Sequence, residues 1–216
     1  MGKLTFEITM SLDGFVAGPN ASYEEPLGTN GERLHEWAFG LRSWRERHGL
    51  AGGTTGPDDE LIEESLAATG ATIMGRRMFS GGAGPWEDDP GADGWWGDDP
   101  PFRVPVFILT HHPRETITKQ GGTTFNFVTD GIEAALEQAQ AAAGERNVVV
   151  GGGASVAQQY LKAGLLDGLL IHVPPLLLGD GTRLFENHLG AEPVELERTQ
   201  VIDSPAVTHL RYRVVR

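Results

Sequence analysis

The sequence predicts one α/β domain over residues 1–216, built on a mixed, mostly parallel sheet of about eight strands. Three observations lead there. Short apolar runs with strand character alternate with helical patterns through the middle of the chain, which calls for crossover connections and parallel pairing. The last two apolar segments, residues 194–201 and 206–215, alternate in polarity and are joined by Asp203, Ser204 and Pro205, an antiparallel hairpin. Glycine clusters punctuate the apolar runs at Gly52 and Gly53, Gly81 and Gly82, Gly121 and Gly122, and Gly151, Gly152 and Gly153. In all, 30 of 216 residues are glycine, about twice the usual ~7%.

The elements follow in order. Residues 4–10 put Leu4, Phe6, Ile8 and Met10 on one side and Thr5, Glu7 and Thr9 on the other, a strand with one buried face. Residues 11–14 turn, and 15–17 resume extended chain. Residues 18–57 are rich in Gly, Pro, Thr and Asn, with one amphipathic patch at Leu34, His35, Glu36 and Trp37. They read as a long loop, functional or mobile, with His35 and His48 at its surface. Pro57 followed by Asp58, Asp59 and Glu60 opens a helix with an inner face of Leu61, Ile62 and Leu66, closed by Gly70. Residues 71–74 form a short buried strand that runs into Gly75, Arg76, Arg77, Met78 and Phe79. Residues 80–102 are acidic, with Trp86, Trp95, Trp96 and four prolines, and read as a surface loop. Residues 104–110 and 125–128 are strands. Asp130 is placed to cap a helix over Gly131–Ala143, residues 147–150 form a strand, and 154–163 form a helix with Val156, Tyr160 and Leu161 inward. Residues 169–173 form a strand ended by Pro174 and Pro175.

Composition narrows the function. The absence of cysteine excludes disulfides, thiolate metal sites and a cysteine nucleophile. The net charge of −13 argues against nucleic acid, whose binding needs a cationic surface, but a local basic pocket still suits an anionic ligand. No apolar run is long enough for a membrane span. No signal peptide is read, so a cytoplasmic location is expected.

Three strand ends carry groups that suit phosphate. After residues 148–150 come Gly151, Gly152, Gly153, Ala154 and Ser155, a strand running through glycines into a helix start, whose free amides attract anions. A plain tight turn is the competing reading. After residues 72–74 come Gly75, Arg76 and Arg77, and guanidinium forks match phosphate oxygens. Cations are slightly unfavourable at a helix start, so two solvated arginines are the weaker alternative. Residues 107–109 end in Thr110, His111 and His112. Adjacent histidines point to opposite sides of an extended chain, and no second cluster has metal spacing, so no metal site is expected. One polyphosphate cofactor across all three ends is the simplest account.

These segments resemble the dihydrofolate-reductase-like family, in the branch related to the reductase domain of the bifunctional riboflavin-biosynthesis deaminase-reductase. The resemblance rests on residues 10–17 (MSLDGFVA), 74–79 (MGRRMF), 109–111 (LTH), 150–153 (VGGG) and 179–185 (GDGTRLF), in the family's order. It implies a three-layer αβα fold on an eight-stranded sheet, bound NADPH, a small-molecule substrate and a homodimer. The activity implied is like that of dihydrofolate reductase or 5-amino-6-(5-phosphoribosylamino)uracil reductase. Position by position, Met10, Val16 and Ala17 would hold the nicotinamide carboxamide. Gly75, Arg76 and Arg77 would hold the pyrophosphate and 2′-phosphate, Thr110 and His111 would flank the adenosine, and Gly151, Gly152, Gly153, Ala154 and Ser155 would contact the pyrophosphate. Asp180 would support the nicotinamide-side loop.

The reaction class implied is hydride transfer to a C=N or C=O bond of a pterin-like or ribosylated heterocycle. Asp59 or Glu63 are the candidates to assist proton delivery, and a solvated first helical turn is the alternative for both. Trp37, Trp86, Trp95 and Trp96 either stack on a flat substrate or anchor their loops. A non-catalytic NADP(H)-binding or sensing protein on the same scaffold is the alternative function.

Overall fold

A computed structural model describes residues 2–82, 84–186 and 193–215. β1 (Leu4–Thr9) turns into β2 (Phe15–Ala17). A 3₁₀ turn, Gly31–His35, precedes the short helices α1 (Glu36–Phe39) and α2 (Arg42–Arg47). α3 (Pro57–Ala68) runs directly into β3 (Thr69–Gly75), and α4 (Arg76–Ser80) starts at the next residue. β4 (Pro105–Leu109), the two-residue β5 (Ile117–Thr118) and β6 (Thr124–Val128) follow the acidic segment. Then come α5 (Gly131–Ala143), β7 (Asn147–Gly152), α6 (Ala154–Lys162) and β8 (Gly168–Val173). β9 (Thr182–Arg183) and the hairpin β10 (Leu196–Asp203) and β11 (Thr208–Val214) complete the described chain.

Nine strands share one sheet in the order β10-β11-β8-β1-β7-β3-β4-β6-β5. The six from β8 to β6 are parallel, and β11, β10 and β5 add antiparallel edges. β2 and β9 pair in a second, small antiparallel sheet. The ninth strand, β5, is too short to leave a periodic pattern. β3 is buried at every residue except its last, as a central parallel strand should be.

Two apolar clusters flank the sheet. Leu4, Phe6, Val148 and Val150 join Leu136 and Ala139 of α5 and Val156 and Tyr160 of α6. The Tyr160 hydroxyl donates to the Ile132 carbonyl at 2.7 Å, tying α6 to α5. Met74, Phe79, Val106, Ile108 and Phe125 form the second cluster, with Trp86, Trp96 and Phe102 of the acidic segment packed on it.

The structure departs from the sequence reading at five points. β1 has no solvated face: it lies between β7 and β8, and its polar side is covered by α3. α3 ends at Ala68, where the Thr69 hydroxyl donates to the Ser65 carbonyl at 2.7 Å. Gly70 lies inside β3 instead, where a Cβ would sit 2.8 Å from Ala143, so glycine permits the close passage of α5. Asp130 occupies the cap position of α5 without a side-chain hydrogen bond to the helix amides. Residues 18–57 carry short helices seated through buried Leu34 and Leu41, and His35 lies partly buried instead of at the surface. His48 is exposed as expected, stacked on Trp44.

Candidate functional site

β1, β7, β3 and β4 are consecutive, parallel neighbours, so their carboxyl ends finish along one edge of the sheet. The β3–α4 and β7–α6 junctions meet there. A Cβ on Gly75 would lie 3.0 Å from Val156 and 3.9 Å from the Gly153 nitrogen. Gly152 has φ +136° and no room for a side chain, since a Cβ would lie 2.7 Å from Met78 Sδ. A Cβ on Gly153 would meet nothing within 4 Å, so space opens in front of α6. Ala154 is buried, Ser155 is exposed, and no side chain caps the first amides of α6.

The two arginines have different surroundings. Arg77 is exposed and makes no ion pair among the described residues. Arg76 is 7% exposed and pairs with Asp89, itself 3% exposed, from the acidic segment. Its Nε donates to Ser80 Oγ at 2.9 Å, and its guanidinium stacks 3.2 Å from the centre of the Trp86 ring. Arg76 Nη1 is buried with no partner. Thr110 is buried, and its hydroxyl accepts the His112 amide at 3.1 Å, while His111 is exposed beside it.

The 10–17 and 179–185 segments also come together. Asp13 accepts the Leu178 and Gly179 amides at 3.1 and 2.7 Å, and Arg183 donates to the Asp13 carbonyl at 2.9 Å. A Cβ on Gly181 would lie 2.0 Å from the Ala17 carbonyl oxygen. Among the described residues Asp180 bonds only the amide of Gly181, at 2.8 Å, whereas Asp13 ties the two segments. The Met10 amide donates to the His172 carbonyl at 2.8 Å, and Val16 is buried in the main core.

Hydrogen bonds, first from Ser11 and then from the Gly179 and Leu178 amides, lower the Asp13 pKa to about 2. The sign follows from linkage. The folded carboxyl is more acidic than the unfolded one, so its contribution is full above the ordinary aspartate range and lost as pH falls toward 2. Acid titration between pH 4 and 2 is expected to loosen residues 178–185 in the wild type. An Asp13→Asn variant should show the same amide protection factors in this segment at pH 5 and pH 3, and a wild type whose protection is equally indifferent to pH would refute the role.

Asp59 and Glu63 are both engaged by α2. Asp59, 1% exposed, accepts the Ser43 amide at 2.8 Å and sits 3.6 Å from Arg42, serving the first turn of α2. Glu63 is exposed and takes Arg42 at 2.7 Å. Asp58 of the same helix points toward the sheet, bonded to His209 at 3.1 Å and to Ser204 at 2.9 Å. His209 and His172 touch Nδ1 to Nδ1 at 2.6 Å, and His172 reaches Glu7 at 3.4 Å. Trp37 covers both imidazoles, with ring centres 4.9 and 5.1 Å away. The signal for this cluster in the sequence was a titratable residue inside an otherwise apolar strand, His172 within residues 169–173. Trp86, Trp95 and Trp96 anchor the acidic segment: Trp86 donates to the His112 carbonyl, Trp95 donates to the Met78 carbonyl, and Trp96 stacks on Trp95 and packs on Phe102.

An orphaned guanidinium nitrogen, an unpaired arginine and an uncapped helix start beside open space suit the phosphates of a dinucleotide. Asp89 opposes that charge at Arg76. No group of residues suited to a metal ion occurs among the described residues.

A family model described as the RibD C-terminal domain matches residues 2–208. Comparison with curated protein sequences gives no match. Among solved structures, the fold is similar to that of a Shewanella sp. PV-4 protein provisionally assigned to riboflavin biosynthesis, with 18% identity and a TM-score of 0.64 over 100% of both chains. It is similar to the riboflavin biosynthesis reductase Rib7 of Saccharomyces cerevisiae, with 13% identity and a TM-score of 0.55 over 100% of this chain and 89% of that one. Dihydrofolate reductase of Enterococcus faecalis, solved with NADP(H), gives 15% identity and a TM-score of 0.52 over 99% and 96%. At these identities the likeness is one of fold.

Proposed function

The chain belongs to the RibD C-terminal domain family, and from that premise we propose that it is an NADPH-dependent reductase of a C=N or C=O bond in a small pterin-like or ribosylated heterocycle. The observation that carries this reading is the meeting of the β3–α4 and β7–α6 junctions at one sheet edge, with Arg76 and Arg77 on one and Gly153 and the start of α6 on the other. Gly75, Arg76 and Arg77 would take the 2′-phosphate and part of the pyrophosphate. Gly151, Gly152, Gly153, Ala154 and Ser155 would take the rest of the pyrophosphate, with Thr110 and His111 beside the adenosine. Met10, Val16 and Ala17 would hold the nicotinamide end, and the 179–185 segment carrying Asp180 would brace them. Bound there, the cofactor supplies hydride, while the protein orients it and excludes water.

The test is a fluorescence titration with NADPH, followed by absorbance at the reduced-nicotinamide band with 5-amino-6-(5-phosphoribosylamino)uracil, dihydrofolate and a panel of carbonyl compounds. Binding at about micromolar NADPH and consumption with one of these are the expected results. Binding without consumption favours the sensing reading, and no binding of any dinucleotide sinks both. The expected homodimer belongs to the same proposal. It is favoured by β10, a sheet-edge strand exposed along nearly its whole length, and sedimentation of the same sample should give about twice the 23.3 kDa chain mass.

A further inference from the structure

Glu7, His172, His209 and Asp58 form one continuous chain of polar contacts across one face of the sheet, at 3.4, 2.6 and 3.1 Å. Its two imidazoles are buried, while the carboxylates at its ends are 22% and 19% exposed. Each of the three contacts joins two atoms that are acceptors when unprotonated, so each needs a proton between them. Two neutral imidazoles and two carboxylates bring only two protons. The chain is satisfied only when it holds one more. An intervening metal is excluded at the centre, because metal–nitrogen bonds near ~2.0–2.1 Å do not fit within the Nδ1–Nδ1 distance.

We propose that His172 carries this extra proton at neutral pH, and that the chain is the reserve that supplies the proton accompanying hydride transfer. In this arrangement His172 donates Nε2–H to Glu7 and Nδ1–H to His209. Neutral His209 donates its own Nε2–H to Asp58. The surroundings fit that assignment. The Ser65 hydroxyl donates to the second Glu7 oxygen, and Ser204 donates to the second Asp58 oxygen. The half-buried Trp37 ring lies over the charged imidazole, a cation–π contact. Burial and the charge on His172 hold His209 below the usual imidazole range, and the same two causes push His35 down to about 4, so neither competes for the proton. Burial raises the Glu7 carboxyl, but the bond from His172, its charge, Ser65 and Arg211 outweigh it and keep Glu7 ionised. Arg211 itself is engaged by Glu64 at 2.9 Å.

The chain lies close to the strand ends. The residue that carries the charge is bonded through its carbonyl to the Met10 amide at 2.8 Å, where β1 ends. Reducing a C=N bond adds a hydride with its electron pair at carbon and a proton at nitrogen. The chain gives up the proton, leaving two neutral imidazoles, and is refilled from water at Glu7 or Asp58. Glu7, His209 and Asp58 are positioning residues that act through His172. The proton-supply half of the proposal rests on the reductase reading, whereas the stored proton does not.

Nitrogen-15 histidine NMR on the whole protein tests the storage directly. His172 is expected to show protons on both ring nitrogens at pH 7, with the shared Nδ1 proton far downfield. Glu7→Gln and Asp58→Asn keep an acceptor oxygen but lose a charge, and each should lower the pH at which His172 loses its charge by about one unit or more. Circular dichroism of both variants reports that the fold is kept. Two neutral imidazoles at pH 7 in the wild type would overturn the proposal, as would a charge that ignores both substitutions. Where NADPH is consumed with 5-amino-6-(5-phosphoribosylamino)uracil, kcat should fall above the pH at which His172 deprotonates. In Glu7→Gln that limb should move with the NMR titration while KM for NADPH stays constant. A limb that stays in place overturns the proton-supply role. Failure to bind NADPH sinks the reductase reading and leaves the NMR result standing.

Discussion

Arg77→Ala is expected to weaken NADPH binding about tenfold to hundredfold and to leave NADH nearly unchanged. A charged hydrogen bond to phosphate contributes roughly 1.5–3 kcal/mol, which converts to that range of affinity. Only NADPH carries the 2′-phosphate. Arg77 is the cleaner of the two arginines to remove, because it is exposed and unpaired among the described residues. Arg76→Ala would leave Asp89 buried without its partner, at a cost of about 3–5 kcal/mol in stability. That loss would confuse any binding measurement. Asp89→Asn gives the converse result. Arg76 then keeps a hydrogen-bond partner but recovers its net charge, so NADPH should bind severalfold more tightly and NADH should not. Isothermal titration of both dinucleotides decides it, and equal losses for NADPH and NADH in Arg77→Ala would remove the arginine from the 2′-phosphate.

The parallel core was legible in the sequence because its signals are local. Residues 71–74 and 147–150 are apolar apart from Thr72 and Asn147, with no alternation between faces, as central parallel strands need. Residues 206–215 alternate because β11, paired antiparallel between β8 and β10, has unequal faces. β1 misled for the same physical reason. Its alternation of Leu4, Phe6 and Ile8 with Thr5, Glu7 and Thr9 looks like one wet face, yet the polar face is buried against α3 and satisfied there by Ser65 and His172. A hydropathy pattern reports side-chain chemistry and cannot tell water from a buried polar partner.

The candidate site divides along similar lines. Glycine after a strand marks close approach of backbone wherever it occurs, so Gly75 and Gly151 through Gly153 were placed at one edge from sequence alone. The partners of Arg76 and Asp59 were not, because they come from distant segments. Asp89 reaches Arg76 from a loop whose path no local pattern encodes, and Ser43 reaches Asp59 from a six-residue helix too short to show a period. His172 and His209 are 37 residues apart in sequence, and only the pairing of β8 with β11 puts them in register.

Phe79→Ala is expected to destabilise the protein by about 3–5 kcal/mol, a large share of the roughly 5–15 kcal/mol available to a domain. Phe79 is fully buried and sits edge-on to Phe125 and Phe127, with ring centres 4.9 and 5.4 Å away, and against Trp86 at 6.1 Å. Phe6→Ala, in the other core cluster, should cost a similar amount, so a urea midpoint alone does not separate them. The difference lies in where the damage is felt. Phe79 stands one helical turn after Arg76 and supports Trp86, which stacks on that arginine and holds the His112 carbonyl. Amide exchange in the native state should therefore rise across residues 84–102 in Phe79→Ala and stay unchanged there in Phe6→Ala. The same variant should free Arg76 from its stack and shift its pairing with Asp89, because the ring that holds the guanidinium in place has lost its backing. Equal exchange in the two variants would mean that the acidic segment is held by its own hydrogen bonds, through Trp95 to Met78 and Arg114 to Asp93, and that the second core cluster does not set the geometry of the cationic pocket.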